Sequence, residues 1–272
     1  MRLCKQNALI IFDEILIENQ LFLAESLKQM FFNFVKKPNI LLNISGKFDI
    51  LVSNIKKYAN VKVVKNSCIG IFSYMVHYAE FDIGLFFYEK DEKTYLNIYS
   101  GSGYPLSNHE FSFFENNFEN NLNSLDYKTK KYKVYDFYDM IYNKKNRYLQ
   151  KWVNKYINSL KNGFSVFNGA EFVMQNKLQQ FILSKVFDAK NKQYFVYGGK
   201  NIYIYKNNDR IAVVKNFDNF ITDNDFFKCT IIKNMLESES DVANINDNKF
   251  VIKNSFDFEN ISAICYELSC LN

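Results

Sequence analysis

Proline and glycine are scarce in this 272-residue chain, at 2 and 9 residues, which leaves little material for a long flexible linker. Tryptophan occurs once and histidine twice. The 5 cysteines (Cys4, Cys68, Cys229, Cys265 and Cys270) form no CxxC pair and no Cys/His cluster. An odd and scattered set argues against a zinc site or a disulfide framework, and reads as buried or incidental reduced thiols. A signal-peptide pattern is missing too, because Asp13 and Glu14 interrupt the apolar run at residues 10–12. No uninterrupted apolar run reaches the length that crosses a bilayer. These absences predict a soluble cytoplasmic protein.

What is abundant is apolar and aromatic: 48% of residues are hydrophobic and 18% aromatic, with 28 Phe and 19 Tyr. That is ample for packed cores and too much for a disordered chain. The richness in Lys, Asn, Ile, Phe and Tyr fits drift in an AT-rich genome and carries little functional weight. Net charge is +5, from 34 basic and 29 acidic residues, and the basic ones are scattered lysines for the most part. Short basic runs at residues 128–133 and 144–147 have tyrosines nearby, but no clustered Arg-rich stripe marks a nucleic-acid protein. They read as solvated surface beside a loop, with nucleic acid as a minor alternative.

Helical spacing of Leu21, Ala24, Leu27, Met30, Phe31 and Phe34 predicts a helix that Pro38 stops. Apolar runs at 39–44, 61–64 and 83–88 predict strands, with helices between them around Phe48 to Ile55 and at 73–79. Alternation of this kind indicates βαβ units around a mostly parallel sheet. Residues 95–99, closed by a Ser-Gly-Ser-Gly turn at 100–103, are expected to form an edge strand. A helix and connector follow at 107–133, and the domain boundary is placed there. Beyond it come a helix with Tyr148, Trp152, Tyr156 and Leu160, a strand at 163–167 and a helix at 173–187. Strands at 201–205 and 211–214 precede a helix at 223–236, a strand at 249–253 and a helix at 258–271.

Two segments carry a resemblance. Residues 81–107, FDIGLFFYEKDEKTYLNIYSGSGYPLS, are similar to the stretch of the α-D-phosphohexomutases (phosphoglucosamine mutase and phosphomannomutase family) in which a buried strand ends in a serine loop. Ile83-Gly84-Leu85-Phe86 matches the strand, residues 96–99 the return strand, Gly103 the turn and Leu106-Ser107 the end. Residues 201–236 resemble the family's D-G-D-x-D-R metal loop, the following strand and the start of a helix. Asp209-Arg210-Ile211-Ala212-Val213-Val214 and Ile221-Thr222-Asp223-Asn224-Asp225 match in order. A weaker echo is Asn168-Gly169-Ala170. The resemblance implies two consecutive three-layer α/β domains with mixed, mostly parallel sheets, at residues 1–130 and 131–272, equivalent to the family's first two domains.

It also implies that the chemistry is gone. The family moves a phosphoryl group through a phosphorylated serine, with Mg²⁺ held by aspartates. The serine loop here is about four residues shorter and reads Tyr88-Glu89-Lys90-Asp91-Glu92-Lys93-Thr94, with no serine; Thr94 begins the next strand. The metal loop reads Tyr205-Lys206-Asn207-Asn208-Asp209-Arg210, so two of three aspartates are replaced by Tyr205 and Asn207. One carboxylate beside an ammonium is a poor Mg²⁺ site. The N-terminal signature is replaced by ALIIFDE at 8–14, and the family's G-R-D-x-R stretch by Asn43-Ile44-Ser45-Gly46-Lys47. The sugar-recognition loop and phosphate clamp of the family's later domains are not found. His77 and His109 have no nucleophile signature beside them.

The expectation is a degenerate, shortened bacterial member that is no enzyme, holds no cofactor or metal, and serves as a scaffold that binds a protein partner or itself. The alternative is a sensor for a sugar phosphate or nucleotide in the remnant inter-domain cleft, using Asp209, Arg210 and Lys206. A third reading is a residual phosphosugar mutase.

Overall fold

A computed structural model of the chain describes residues 2–4, 9–14, 16–31, 36–90, 92–103, 105–106, 110–112, 131–163, 169–187, 192–198, 201–206, 208–215, 220–223, 242–245, 249–252, 261, 264–265 and 268. The chain divides into two compact units, one of residues 1–67 and 72–137, the other of residues 68–71 and 138–272.

The first unit runs β1 (Arg2–Cys4), β2 (Leu9–Phe12), α1 (Ile17–Phe31), β3 (Asn39–Ile44), α2 (Asp49–Ile55), β4 (Asn60–Lys65), α3 (Ile69–Tyr78, from Phe72 onward in this unit), β5 (Ile83–Lys90), β6 (Lys93–Ser100) and β7 (Val134–Asp136). Its seven strands lie in the order β1-β2-β6-β5-β3-β4-β7. The half from β5 to β7 is parallel, while β6, β2 and β1 continue it antiparallel. This is a mixed α/β fold of the kind expected.

One placement differs from expectation. Residues 95–99 do not form an edge: β6 lies between β5 and β2, because residues 9–12 pair with it from Leu9↔Asn97 to Phe12↔Thr94. Val134–Asp136 adds a short parallel strand to β4.

Alternation along the strands fills both faces of the sheet. Ile40, Leu42, Val63, Leu85, Phe87, Leu96 and Ile98 form one core with Leu23, Leu27 and Phe31 of α1 and Leu51, Val52 and Ile55 of α2. On the other face α3 covers Gly84, Phe86 and Tyr99. The Phe72 ring meets Phe86 and Tyr99 edge-on at 5.0 and 5.6 Å. Burial on both faces explains why β3 and β5 read as nearly continuous apolar runs.

The second unit has α4 (Phe137–Asn143, its first residue belonging to unit one), α5 (Arg147–Gly163), β8 (Gly169–Val173), α6 (Lys177–Val186), β9 (Lys192–Gly198), β10 (Asn201–Lys206) and β11 (Asp209–Lys215). The sheet order is β11-β10-β9-β8, with β8 and β9 parallel across the α6 crossover and the other pairs antiparallel. The strand expected at 163–167 is found at Gly169–Val173, since Gly163 closes α5 and residues 164–168 are outside those described. The helix expected from 173 starts at Lys177. Asn176 caps it, its side chain accepting the N–H groups of Leu178 at 2.9 Å and Gln179 at 3.1 Å, while Val173 pairs with Tyr197 in the sheet.

A small antiparallel sheet, β12-β14-β13, joins Phe220–Asp223, Lys249–Ile252 and Val242–Ile245. Asp223 therefore ends a strand, and the remainder of the helix expected at 223–236 lies outside the described residues. Of the helix expected at 258–271, Ile261, Ile264, Cys265 and Leu268 are helical and buried, the spacing of one helix face. Among the described residues no helix is long and apolar enough to cross a membrane.

Candidate functional site

In α/β sheets a ligand crevice forms at the carboxyl ends of adjacent strands whose connections leave in opposite directions. In the first unit that place is between β3 and β5. β3 leads through α2 to β4 on one side, whereas β5 turns back into β6 on the other. Their pairing ends at Asn43↔Phe86. Beyond it the Asn43 side chain takes over, its Nδ2 donating to the Phe87 carbonyl at 2.9 Å. Asn43 is only 4% exposed, and its Oδ1 has no hydrogen-bond partner among the described residues. Two residues on, the Ser45 hydroxyl is also buried and without a partner among them.

The loop after β3 is held from α1 by Gln20, whose Nε2 donates to the Lys47 carbonyl at 3.1 Å and whose Oε1 accepts Leu51 N–H at 3.2 Å. Gly46 turns there at φ +97°, and a Cβ at this position would lie 3.7 Å from the Glu89 carboxylate. The end of β3 thus brings Asn43, Ser45 and Gly46 to this place, with Glu89 beside Gly46. The signal for Asn43 was in the sequence, as one amide inside NILLNI. Asn97 was missed for want of register: it sits across Phe86 from Asn43, and its Oδ1 too is buried and unpartnered.

Residues 88–94, matched above to the family's serine loop, fall in a hairpin. β5 and β6 pair without interruption from Ile83↔Ser100 to Lys90↔Lys93, with Glu92 at φ +62° and Asp91 outside the described residues. Tyr88 and Tyr95 stack at 5.1 Å and 16° on its way out. Thr94 is inside β6, opposite Glu89. Lys93 reaches Asp13 at 2.9 Å, and this hydrogen bond together with the ammonium's charge holds the Asp13 carboxyl below its ordinary value.

Residues 205–210, matched above to the metal loop, fall in a second hairpin. Tyr205 pairs with Arg210 and Lys206 with Asp209, with Asn208 at φ +70° and Asn207 outside the described residues. The Lys206 ammonium lies 5.3 Å from the centre of the Tyr194 ring, and Tyr205 packs edge-on to Tyr197. This donor set does not fit Mg²⁺. It offers a single carboxylate residue, paired across the ladder with a lysine, where the ion requires several hard oxygens. Among the described residues no three His, Cys, Asp or Glu side chains gather as metal ligands. His77 is exposed on α3 against the edge of Tyr78, and His109 is outside the described residues. Cys68 and Cys265 are buried thiols.

No family model matches the chain, and no curated protein matches it. Among solved structures it resembles a protein assigned as a phosphomannomutase from Thermus thermophilus, at 10% identity and a TM-score of 0.54, over 74% of this chain and 56% of that one. A phosphoglucomutase/phosphomannomutase family protein from Burkholderia thailandensis matches at 8% identity and a TM-score of 0.43, over 77% of this chain and 57% of its own. The chain spans just over half the length of these structures. At such identities the likeness is one of fold, a phosphohexomutase-like α/β architecture.

Proposed function

We propose that this chain is a phosphohexomutase-like protein without mutase activity that works as a binding module for a protein partner. The observation that carries the first half is the β5–β6 turn. Where the resemblance requires a loop bearing the phosphorylated serine, the ladder of β5 and β6 runs on to Lys90↔Lys93, and residues 88–94 contain no serine. The sequence of the second hairpin supports it, since residues 205–210 carry one carboxylate where Mg²⁺ takes several hard oxygens. For the binding half, support comes from exposed large side chains that a core does not need: Leu16 and Ile17 at the start of α1, and Tyr78, Tyr142 and Tyr197.

The test has two arms. Highly purified protein with Mg²⁺ and glucose 1-phosphate or mannose 6-phosphate should give no isomerisation, and a hexose bisphosphate should add no phosphoryl mass. Mg²⁺-dependent turnover that disappears on Asp209→Asn overturns the first half. A nuclease-treated pull-down from the native cell should return a stoichiometric partner, lost on alanine substitution of Tyr78 or Tyr142. Partner capture indifferent to every exposed aromatic overturns the second.

One observation favours a second reading. Asn43 Oδ1 and Ser45 Oγ, buried and unpartnered at the switch point, can accept the hydroxyl donors of a sugar phosphate. A sensor role requires a thermal shift with hexose phosphate that is absent in Asn43→Leu; Arg210→Ala tests the second unit's turn separately.

A further inference from the structure

The lysines that look scattered in the sequence are gathered by one helix. From Asp139 to Glu171 the chain has no acidic residue, while Lys144, Lys145, Arg147, Lys151, Lys155 and Lys161 fall in this stretch. α5 buries Leu149, Trp152, Val153, Tyr156, Ile157 and Leu160 along one stripe. The opposite side exposes Arg147, Lys151, Lys155 and Lys161, and between them chiefly asparagines: Asn154, Asn158 and Asn162. Arg147, Lys151 and Lys155 follow at four-residue steps, a cation about every 6 Å along the helix axis. Among the described residues none of the six cations has an acidic partner. Lys144, Lys145 and Arg147 crowd the amino end of α5, where the helix dipole favours anions, so an anionic ligand would be drawn by both the dipole and the side chains.

We propose that this face binds single-stranded nucleic acid through its phosphates. A lipid surface is disfavoured, because an interfacial helix needs its apolar side free and α5 has buried that side in the protein. An acidic protein is the competing polyanion for this face, and competition with polyglutamate, below, separates the two. Arginine, lysine and asparagine are the side chains that contact phosphate and sugar. Tyr142 is 64% exposed two residues before Lys144, and offers a ring for an unpaired base to stack on. The inference does not depend on whether the chain has mutase activity, and it fails or stands by its own assay.

The experiment uses the full chain and a fluorescein-labelled oligothymidylate of about 20 nucleotides, read by anisotropy between about 50 and 200 mM salt. The chain's one tryptophan gives a second readout. Trp152 is 7% exposed, with the Lys155 and Lys151 ammonium groups 4.6 and 5.8 Å from its ring centre. Binding should weaken with salt, with a log–log slope reaching about −4 if all six cations engage, at about 0.7 per phosphate contact on a single strand. Lys151→Gln with Lys155→Gln should reduce that slope by about 1.4 and remove the tryptophan response. Lys144→Gln with Lys145→Gln, in the segment before α5, should do the same to the slope without touching the helix. Three results overturn the proposal: no anisotropy change at the lowest salt, a slope indifferent to both pairs of substitutions, or displacement by polyglutamate at equal charge. A duplex that binds as tightly as the single strand overturns the single-strand assignment.

Discussion

Gly84 sits in the middle of β5 where α3 crosses the sheet, and Gly84→Ala tests the packing of that face. A Cβ built there would come 2.6 Å from Val76 Cγ2, 2.9 Å from Phe72 Cε1 and 3.1 Å from Tyr99 Cβ. Carbon atoms in good contact lie about 3.5–4.0 Å apart, so the methyl group needs roughly 1 Å that is not there. The neighbours have little to give. Val76, Phe72 and Tyr99 are fully buried, valine is stiff at χ1, and the Phe72 ring is held between Phe86 and Tyr99. Overpacking of this sort costs about 1–3 kcal/mol. Alanine returns about 0.4–1 kcal/mol by restricting the unfolded chain. The net expectation is a loss of about 1–2 kcal/mol, or some 2–8 °C in Tm at about 2–4 °C per kcal/mol. Urea unfolding followed by circular dichroism measures it. A double-mutant cycle with Val76→Ala, which removes the nearest atom, should show favourable coupling. A Gly84→Ala protein as stable as the parent, or no coupling to Val76, would refute this account of the α3 face.

Two further predictions are local. Asn176→Ala removes the acceptor for the Leu178 and Gln179 N–H groups at the start of α6, and should cost about 1 kcal/mol in an unfolding midpoint, while Asn176→Asp keeps most of it. The Asp13 carboxyl, lowered by Lys93, should titrate below the ordinary aspartate range in carbon-detected NMR, and Lys93→Gln should return it upward. Because the folded value is the depressed one, its contribution is present above the unfolded value near pH 4 and fades as pH falls through the folded value; an unshifted Asp13 would remove the ion pair from solution.

The parallel strands were legible because each is buried on two faces. NILLNI at Asn39–Ile44 and the run from Ile83 are apolar at odd and even positions alike, which a half-exposed strand does not allow. What the pattern hides is neighbourhood. β6 alternates as an edge strand would, with its Tyr95 and Asn97 face partly exposed, and nothing local says that Leu9–Phe12 arrives beside it from more than 80 residues away. The same blindness applies to the crevice. Asn43 stands out as an amide in an apolar run, but Glu89 near Gly46 and Asn97 across Phe86 are matters of register. Val173 shows a different limit. Its β-branched side chain suits strand or helix start, and the cap at Asn176 decides, because an Asn that receives two amide groups marks the first turn four residues later than apolar spacing alone suggested.

The two hairpins bear on each other when the loops are considered as backbone rather than as side chains. A catalytic loop must lift its nucleophile or ligands off the sheet, and that requires residues free of the ladder. Lys90↔Lys93 and Lys206↔Asp209 are cross-strand pairs, and Glu92 and Asn208 beside them have positive φ. On the proposed reading the difference from a mutase is therefore one of chain length at the first place and of side chains at the second, where Tyr205 and Asn207 stand for aspartates. The crevice beside β3 depends on neither turn. Its buried amide and hydroxyl cost stability if nothing meets them, since an unpaired polar group forfeits about 1–3 kcal/mol. On the proposed reading, a ligand or an ordered water would meet those acceptors at the switch point.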